Sequence, residues 1–303
     1  MYDIIGDIHG HADKLIELLI ALGYKKTGNH WSHTKRTLIS VGDLVDRGPQ
    51  QRKVIDILKP MADAGNAIVL MGNHEFNAVS WALQDNNGEY LRPHTDKNYS
   101  QHKAFLEEAN IDADWYQETI AWFMTLPLLF ETNEFRCVHA AWDSTNISFL
   151  KQNLNEDRAL RSHQWKQANE ASHPMYDAVE YCLKGPEISL PAGHFFFDGG
   201  GHKRTKMRLK WWSVDKGSTY RNAAVSVPDP SVLPDITLPT DLLTIETTSK
   251  PTFFGHYWMT GVPKLLSDNV ACLDWSVVKR DGVLAAYRYD GESTLSPDKL
   301  VWV

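Results

Sequence analysis

The sequence predicts an α/β fold in which the first strands form a parallel sheet. Between Tyr2 and Leu83, short apolar runs rich in β-branched residues alternate with stretches whose apolar residues recur at helical spacing. A strand–helix–strand–helix–strand order of this kind places helices on the faces of a parallel sheet. Each of the three apolar runs opens into a segment that contains Asp, His, Asn or Gly. Ligands bind at the carboxyl edge of such sheets, so we expect the functional site there.

The first half of the chain supplies most of the predicted elements. Four leucines recur at helical spacing in the first helix, which Gly23 ends. The polar segment 85–100 is predicted to be a surface loop. The predicted strands lie at 2–5, 37–41, 67–71, 128–131 and 136–139, and the predicted helices at 12–22, 52–64, 76–83, 103–109 and 115–124.

The pattern weakens after the first half and recovers near the end. Helical spacing predicts helices at 156–168 and 175–183, and alternation over 207–211 predicts a strand with Arg208 and Lys210 on one face. The predicted final strands lie at 251–254, 269–273 and 283–289. We expect one domain, 1–303, with a cap-like insertion at about 144–249 that faces the substrate.

Composition excludes several classes of protein. The formal net charge of -7 does not favour binding to nucleic acid or to an anionic membrane. No apolar run is long enough to span a bilayer, and the chain enters a predicted strand at Tyr2 without a leader-like segment. The three cysteines are scattered, which favours reduced, buried thiols. We therefore expect a cytoplasmic protein without a membrane partner or a stable nucleic-acid complex.

Six side chains at strand ends predict a site for two metal ions. Asp7 and His9 are two residues apart, so on an extended chain both point the same way. Carboxylate, imidazole and amide oxygen together suit a hard or borderline divalent metal. The two oxygens of Asp43 can bridge two ions. The predicted ligands are Asp7, His9 and Asp43 for one ion, and Asp43, Asn73, His139 and His256 for the other.

Residues beside these ligands predict phosphoester hydrolysis. Two dications against two carboxylates leave a positive site, which can bind phosphate and lower the pKa of a bridging water to about 7. The predicted attack on phosphorus comes from this metal-bridging hydroxide. Asp46 and His74 form a predicted acid pair that protonates the leaving group. The fork of donors on Arg47 suits phosphate oxygens.

At this point the chain resembles the calcineurin-like metallophosphoesterases. The motifs that carry the resemblance, in order, are Asp7-x-His9, Gly42-Asp43-x-x-Asp46-Arg47-Gly48, Gly72-Asn73-His74-Glu75, His139 and Gly255-His256. The form of the second motif resembles the branch with Ser/Thr protein phosphatases and symmetrical diadenosine tetraphosphatases. The resemblance covers 2–75, 135–142 and 251–290. It implies a four-layer α/β/β/α fold and two divalent ions, with manganese as first choice and iron, zinc, nickel or cobalt as alternatives.

Two positions depart from relatives of this kind. Met71 stands where the protein phosphatases carry an arginine. Trp258 stands where many other metallophosphoesterases carry a second histidine, so the first ion would have three protein ligands, as in the protein phosphatase branch. Glu75 is predicted to be a helix N-terminal carboxylate rather than a catalyst. The nine histidines outside the motifs and predicted ligands share no spacing and are predicted to lie at the surface or at caps.

The segment 201–221 is a basic stripe in an acidic chain. Seven lysines and arginines stand in it against a single acid, together with two adjacent tryptophans. Basic and aromatic residues suit phosphates and stacked bases, so Arg208, Lys210 and Trp211 are predicted to bind substrate with Arg47. A solvated strand face and core packing of the tryptophans are the alternatives.

The favoured substrate is a nucleotide or a diadenosine polyphosphate. The run 183–212 resembles bacterial phosphatases of the diadenosine tetraphosphatase and polynucleotide-phosphatase kind. Three alternatives stay open: a Ser/Thr or broad-specificity protein phosphatase, a polynucleotide phosphatase, and a catalytically silent scaffold. The complete ligand set argues against the scaffold. The expected partner is a phosphorylated small molecule or nucleotide, with a phosphoprotein as the alternative.

Overall fold

The computed structural model describes residues 1–239 and 250–303, and its elements alternate in the first half of the chain as predicted. Among these residues, no helix combines the length and the apolar character needed to cross a bilayer. The helices are α1 (Ala12–Leu22), α2 (Gln51–Asp63), α3 (Asn73–Ala82), α4 (Asp96–Ala109), α5 (Ala113–Phe123), α6 (Ser144–Asn153), α7 (Gln164–Asn169) and α8 (Pro174–Lys184). The strands are β1 (Tyr2–Ile5), β2 (Lys25–Thr27), β3 (His30–Ser32), β4 (Thr37–Ser40), β5 (Ala67–Val69), β6 (Leu129–Glu131), β7 (Arg136–Val138), β8 (Glu187–Ser189), β9 (Phe196–Phe197), β10 (Lys203–Arg204), β11 (Lys206–Leu209), β12 (Ala224–Val225), β13 (Thr252–Phe254), β14 (Val270–Cys272), β15 (Asp274–Trp275), β16 (Val283–Tyr289) and β17 (Leu300–Trp302).

The first sheet has the strand order β15-β16-β1-β4-β5, with β17 beside β16. The strands β1, β4 and β5 run parallel, with Ile4 opposite Ile39 and Ile39 opposite Ile68. Strand β16 joins the other side of β1 in antiparallel orientation. The predicted parallel pairing is confirmed, and the carboxyl ends of three strands lie along one edge.

The second sheet has the order β14-β13-β7-β6 and comes from later parts of the chain. Its central strand β13 runs parallel to both neighbours, with Phe253 opposite Cys137 and Ala271. The strands β6 and β7 correspond to the predicted strands 128–131 and 136–139, and they pair as an antiparallel hairpin. Because β7 and β13 are parallel, the residues that follow them, including His139 and His256, leave the sheet at the same end.

The two sheets pack face to face under outer helices. Tyr289 of the first sheet and Phe135 and Phe253 of the second belong to one buried cluster, and the Phe135 and Tyr289 rings lie 4.6 Å apart. Helix α1 buries four leucines, each worth ~1.5–3 kcal/mol. Helix α8 meets the second sheet, where Ala140 N donates to Cys182 O at 2.9 Å. The four-layer α/β/β/α fold is confirmed.

The described part of the predicted insertion contains α6, α7, α8, the small sheet β12-β11-β8 and the hairpin β9–β10. The predicted helix 156–168 is wrong, since the chain turns there and only its end is helical. The Asn155 side chain accepts from Ala159 N at 2.8 Å, and Arg158 has a φ of 65°. Such local side-chain bonds compete with helix formation. Residues 240–249, where the predicted insertion ends, lie outside the described residues.

Candidate active site

The loops after β1, β4 and β13 and the start of α3 meet at the common edge of the two sheets. His9 N donates to Asp43 O at 2.9 Å. His74 N donates to Asp43 Oδ1 at 3.0 Å. His256 N donates to both oxygens of Asp7, at 3.2 and 3.0 Å. Backbone contacts therefore bring motifs from distant parts of the chain into one site.

The backbone at this edge is strained. Five non-glycine residues of the site have positive φ: His9 (45°), Asp43 (53°), Asp46 (70°), Arg47 (72°) and His256 (70°). Each such residue costs ~1–3 kcal/mol and persists only where its surroundings hold it. Strain of this kind clusters at active sites, which marks this edge as the functional one.

Gly255 allows the second sheet to approach the first. A Cβ atom at this position would stand 1.9 Å from Asp7 Oδ1 and 2.9 Å from Val41 Cγ2. Only a residue without a side chain fits there. The position of the Asp7 carboxylate therefore depends on Gly255.

All six predicted ligands are buried at this edge. The Asp43 carboxylate is shared by two groups of possible ligand atoms, each within 4.8 Å of one another. One group joins Asp43 to His9 and His74, and the other joins it to His139 and His256. Four of the six predicted ligands, His9, Asp43, His139 and His256, thus fall in these groups, together with His74, which was predicted as an acid. Among the described residues, Asp7 belongs to neither group, and its carboxylate accepts from His256 N instead.

The imidazole of His9 fits a metal ligand. His9 Nδ1 donates to Val45 O at 3.0 Å, so Nε2 is the nitrogen free to bind. Burial lowers the pKa of His9 to about 3, which leaves this nitrogen without a proton. It is buried, has no hydrogen-bond partner within 1–239 and 250–303, and lies 3.6 Å from Asp43 Oδ2. A ligating histidine commonly donates its other nitrogen to a backbone carbonyl, as here.

The second group has the same arrangement around His139. His139 Nδ1 donates to Val41 O at 2.8 Å, and Nε2 lies 3.1 Å from Asn73 Oδ1 and 3.4 Å from Asp43 Oδ1. Nε2 therefore faces two oxygens and needs a cation or a proton between them. Although burial opposes protonation, the Asp43 charge raises the pKa of His139. His256 Nδ1 lies 2.8 Å from the same Asn73 oxygen.

Several buried carboxylates give the edge a surplus of negative charge. Burial, followed by the charges of Asp274 and Asp43, raises the pKa of Asp7 well above its ordinary value. Asp274 is itself buried and accepts from Trp258 N at 2.6 Å and from Ser276 N at 3.0 Å. It therefore supports the loop after His256. Buried carboxylates this close together are stabilised by cations, so the donor set fits two divalent ions.

Glu75 holds the Asp43 loop against α3. Its Oε2 accepts from Asp43 N at 2.8 Å and from Gly72 N at 2.9 Å, and its Oε1 accepts from Leu44 N at 2.8 Å and Val45 N at 3.3 Å. Burial and then the Asp43 charge raise the pKa of Glu75 to about 7. The carboxylate is occupied by backbone donors at the N-terminus of α3, the location expected from the sequence.

A chain of three side chains lies beside the ligands. His74 Nδ1 is 2.5 Å from Asp46 Oδ2, and His102 Nδ1 is 2.8 Å from Asp46 Oδ1. Burial alone would raise the pKa of Asp46, but the hydrogen bonds from His102 and His74 hold it below its ordinary value. Burial opposes protonation of His74, yet the Asp43 and Asp46 carboxylates raise its pKa. The chain favours a protonated His74.

His102 corrects the sequence prediction for the remaining histidines. It was expected at the surface or at a cap, but it is 2% exposed and lies within α4. The predicted loop 85–100 hid this position, because α4 begins at Asp96, where Thr95 caps it by accepting from Asn98 N at 3.3 Å. A helix starting there would have shown His102 on the apolar face with Phe105.

A cavity of about 350 Å³ opens beside His74, Asn73 and His256. Both Arg47 and Arg208 border it, as a phosphate-binding role requires. The cations that border this cavity are Arg47, Arg92, Lys97, Lys184, Arg204 and Arg208. The Arg47 guanidinium lies 4.5 Å from the centre of the Trp258 ring. Arg208 pairs with Glu187 at 3.4 Å.

Lys210 and Trp211 lie elsewhere. Lys210 follows the end of β11, donates to Asn222 O at 3.0 Å and borders a neighbouring cavity of about 900 Å³ that Arg47 and Arg208 also reach. Trp211 is 1% exposed, and its indole nitrogen donates to Ala140 O at 3.0 Å. A base cannot stack on a ring enclosed in this way, so the prediction that Trp211 binds substrate is corrected: it packs the core.

The chain belongs to the calcineurin-like phosphoesterase family, a family of phosphate-ester hydrolases, whose model matches residues 2–212. This is the class that the two-sheet fold and the paired ligand groups define.

Among curated proteins, the chain is similar to bis(5'-nucleosyl)-tetraphosphatase PrpE (asymmetrical) of Halalkalibacterium halodurans, with 45% identity over 74 residues. That match covers 24% of this chain and 30% of the relative. The protein of the same name from Oceanobacillus iheyensis is 42% identical over 73 residues, which are 24% of this chain and 29% of that protein. The matches thus span less than a third of these relatives.

Among solved structures, the fold is similar to that of a cold-active protein-tyrosine phosphatase of a psychrophile Shewanella sp.. The TM-score is 0.50 at 18% identity, over 95% of this chain and 75% of that one. At this level of identity the likeness concerns the fold alone, which agrees with the four-layer arrangement described above.

Proposed function

We propose that this protein is a two-metal hydrolase of phosphate esters or anhydrides that acts on nucleotide or dinucleoside polyphosphates. The observation that carries the proposal is the buried Nε2 of His9, which faces Asp43 at 3.6 Å and has no hydrogen-bond partner among the described residues, next to the His74–Asp46 pair. The two features together supply the parts that phosphoryl hydrolysis needs, which are a cation site and an acid beside it.

In this proposal the two ions are held by the residues predicted from the sequence, with Asp43 shared between them. Asp7, His9 and Asp43 hold one ion, and Asp43, Asn73, His139 and His256 hold the other. When bound, two divalent ions withdraw charge from phosphate oxygens and acidify water. We propose manganese first, with iron, zinc, nickel and cobalt as alternatives, because all of these accept imidazole together with carboxylate.

His74 acts as the general acid in this proposal. Its Nδ1 proton is held by Asp46, which leaves the Nε2 proton to be given to the leaving oxygen. The hydrogen bond from His102 fixes the other oxygen of Asp46, so His102 is a positioning residue. A fixed carboxylate keeps the imidazole in one orientation, as in other acid–base pairs.

Arg47 and Arg208 bind the phosphate that is cleaved. Both border the cavity beside His74, and each offers a fork of donors suited to phosphate oxygens. The predicted insertion, as far as it is described, contributes Lys184, Arg204 and Arg208 to this cavity, which supports its proposed role as a substrate-facing cap.

The substrate class rests on two supports. The relatives with the local sequence similarity are named for cleavage of bis(5'-nucleosyl) tetraphosphates. The cavity beside His74 is bordered by six cations, which suits a substrate with several negative charges.

The cysteines are all buried and free of disulfides, which supports the proposed cytoplasmic location.

A substrate screen of the manganese-loaded protein tests the proposal. We expect release of product from diadenosine tetraphosphate above the rates with phosphopeptides and with 3′-phosphorylated oligonucleotides. Two ADP molecules would indicate symmetrical cleavage, and ATP with AMP would indicate asymmetrical cleavage. A clear preference for phosphopeptides would favour a protein phosphatase instead. No turnover of any phosphate ester would favour a silent scaffold.

Two variants separate metal binding from acid catalysis. His74→Asn should keep its metals but lose turnover of diadenosine tetraphosphate by ~10²–10⁴, the usual scale for a general acid. Asp43→Asn should lose metal as well, because Asp43 serves both ligand groups. Metal content measured by elemental analysis, alongside rates, distinguishes the two. Unchanged turnover in His74→Asn would remove His74 from the mechanism.

A further inference from the structure

Arg92 is a cation of the active-site cavity that the motifs do not include. It lies between α3 and α4 and borders the cavity that contains His74. Its backbone N donates to Ser80 O at 2.9 Å. Its guanidinium donates to Asn77 Oδ1 at 2.5 Å and to Gln101 Oε1 at 2.9 Å. Arg92 is thus fixed from both flanking helices.

The two partners of the Arg92 guanidinium accept hydrogen bonds from it but carry no negative charge to balance its positive charge. Both are neutral amide oxygens, and Nε is buried without a partner in the part of the chain that the structure describes. Among residues 1–239 and 250–303, no carboxylate forms an ion pair with Arg92. Burial lowers the pKa of Arg92, against the more distant charges of Asp46 and Glu180. A half-buried charge without a close counterion is costly, and an anion in the cavity would offset that cost.

Three of the other five cations of the described cavity form ion pairs with carboxylates. Arg208 pairs with Glu187, Lys184 with Glu180 and Arg204 with Asp198. Arg92, Lys97 and Arg47 are the members without such a pair among the residues that the structure describes. Arg47 adjoins the ligand loop, whereas Arg92 and Lys97 come from the segment between α3 and α4 and from α4 itself. The positive charge that lacks a carboxylate partner therefore comes from two separate parts of the chain, the loop with Arg47 and the region of Arg92 and Lys97.

We propose that Arg92, assisted by Lys97, forms a second phosphate subsite for a phosphoryl group next to the one that is cleaved. The ligand class is a chain of linked phosphates, and the inference rests on the proposed phosphohydrolase function. A planar guanidinium held by two amides is set in advance to bind phosphate through its remaining donors. The subsite gives substrates with several phosphates an advantage over those with one.

Inhibition constants test the subsite without knowledge of the natural substrate. Hydrolysis of p-nitrophenyl phosphate by the manganese-loaded protein is measured with inorganic phosphate or inorganic tripolyphosphate as inhibitor, at constant free Mn²⁺ because tripolyphosphate chelates metal. In the unchanged protein we expect tripolyphosphate to inhibit more strongly. In Arg92→Met that preference, expressed as the ratio of the two inhibition constants, should fall by about tenfold or more, the scale of one charge-assisted hydrogen bond.

Matched variants distinguish binding from damage. Arg280→Met removes an exposed arginine outside the cavity and should leave the ratio unchanged. Arg92→Lys keeps the charge without the fork and should lose part of the preference. Equal weakening of both inhibitors in Arg92→Met would overturn the subsite, because a structural defect has that effect. A loss confined to 3′-phosphorylated oligonucleotides would overturn the polyphosphate assignment.

The failure of this inference is distinguishable from failure of the proposed function. If p-nitrophenyl phosphate is hydrolysed in a metal-dependent way but the ratio does not respond to Arg92, the phosphohydrolase stands and the subsite is wrong. If no phosphate ester is hydrolysed at all, the proposed function and the subsite that rests on it both fall.

Discussion

Gly255→Ala is the most direct test of how the two sheets build one site. Position 255 precedes His256 and touches Asp7, so a single methyl group perturbs proposed ligands from both sheets. The Cβ atom would stand 1.9 Å from Asp7 Oδ1, whereas carbon–oxygen contacts lie at about 3.3 Å or more. The carboxylate or the His256 loop must therefore move by roughly 1.4 Å, the difference between these distances.

The size of that movement sets the expected loss. A displacement of ~1 Å in an active site costs about 10²-fold in rate, and overpacking a core costs ~1–3 kcal/mol in stability. We therefore expect Gly255→Ala to remain folded, to bind metal more weakly and to lose about 10²-fold or more in turnover. Gly217→Ala is the matched control, because its Cβ would meet only Asp215 Oδ1 at 3.4 Å.

Three measurements decide the outcome. Elemental analysis after manganese loading and dialysis reports metal content, p-nitrophenyl phosphate reports turnover, and thermal unfolding in EDTA reports the stability of the metal-free fold. If Gly255→Ala retains two ions and turns over within about threefold of the control, which is below the effect of a 1 Å shift, the close approach of the sheets does not position Asp7.

Three further results are expected. His102→Leu should slow hydrolysis of alkyl phosphates more than that of p-nitrophenyl phosphate, because the departure of a poor leaving group depends more on the general acid. His102→Asn should restore part of the rate, because its amide replaces the hydrogen-bond donor to Asp46. Equal losses with both esters would contradict a positioning role for His102. Hydrogen bonds from Lys299 and Arg36 lower the pKa of Asp290 to about 2 from an ordinary 3.8, so this carboxylate stabilises the fold above pH ~4 and loses that effect as the pH falls toward 2. The melting temperature of Asp290→Asn in EDTA should thus lie below that of the unchanged protein at pH 7 and approach it at pH 3, and a constant gap would be evidence against the ion pair. EDTA should abolish hydrolysis and lower the melting temperature, with Mn²⁺ restoring both, whereas full activity in EDTA would exclude a metal-dependent reaction.

The parallel sheet could be predicted because its signal is local. Apolar runs of β-branched residues mark β1, β4 and β5, and the polar residues after them stand at the carboxyl edge by the geometry of parallel pairing. The location of the predicted ligands from the first 75 positions follows from the same pattern. The second sheet was harder to place, since β7 and β13 pair across more than 100 residues and no local pattern specifies a partner at that distance.

The predictions from the sequence were wrong where a side-chain hydrogen bond sets the backbone conformation, and where the burial of a residue depends on the whole fold. The Asn155 side chain accepts from Ala159 N, and this bond competes with the predicted helix 156–168. The Thr95 side chain accepts from Asn98 N and caps the start of α4 inside a polar segment. Trp211 lies in a stripe rich in basic residues, yet its ring is buried and its indole nitrogen donates to Ala140 O, a partner 71 residues away that no local pattern specifies. Composition alone could not show whether the Trp211 ring faces the core or the substrate.

Hydrogen bonds within the chain hold the loop that carries Asp43. Three residues of the loop 42–48 have positive φ and are not glycine, at ~1–3 kcal/mol each. Glu75 accepts N–H groups from three residues of that loop, and Asp43 O accepts from Ile8 N and His9 N. These bonds join groups of the chain itself, so they offset the strain of the loop. A loop held in this way fixes the Asp43 carboxylate between the two groups of possible ligand atoms, which is the arrangement that the proposed sharing of Asp43 requires.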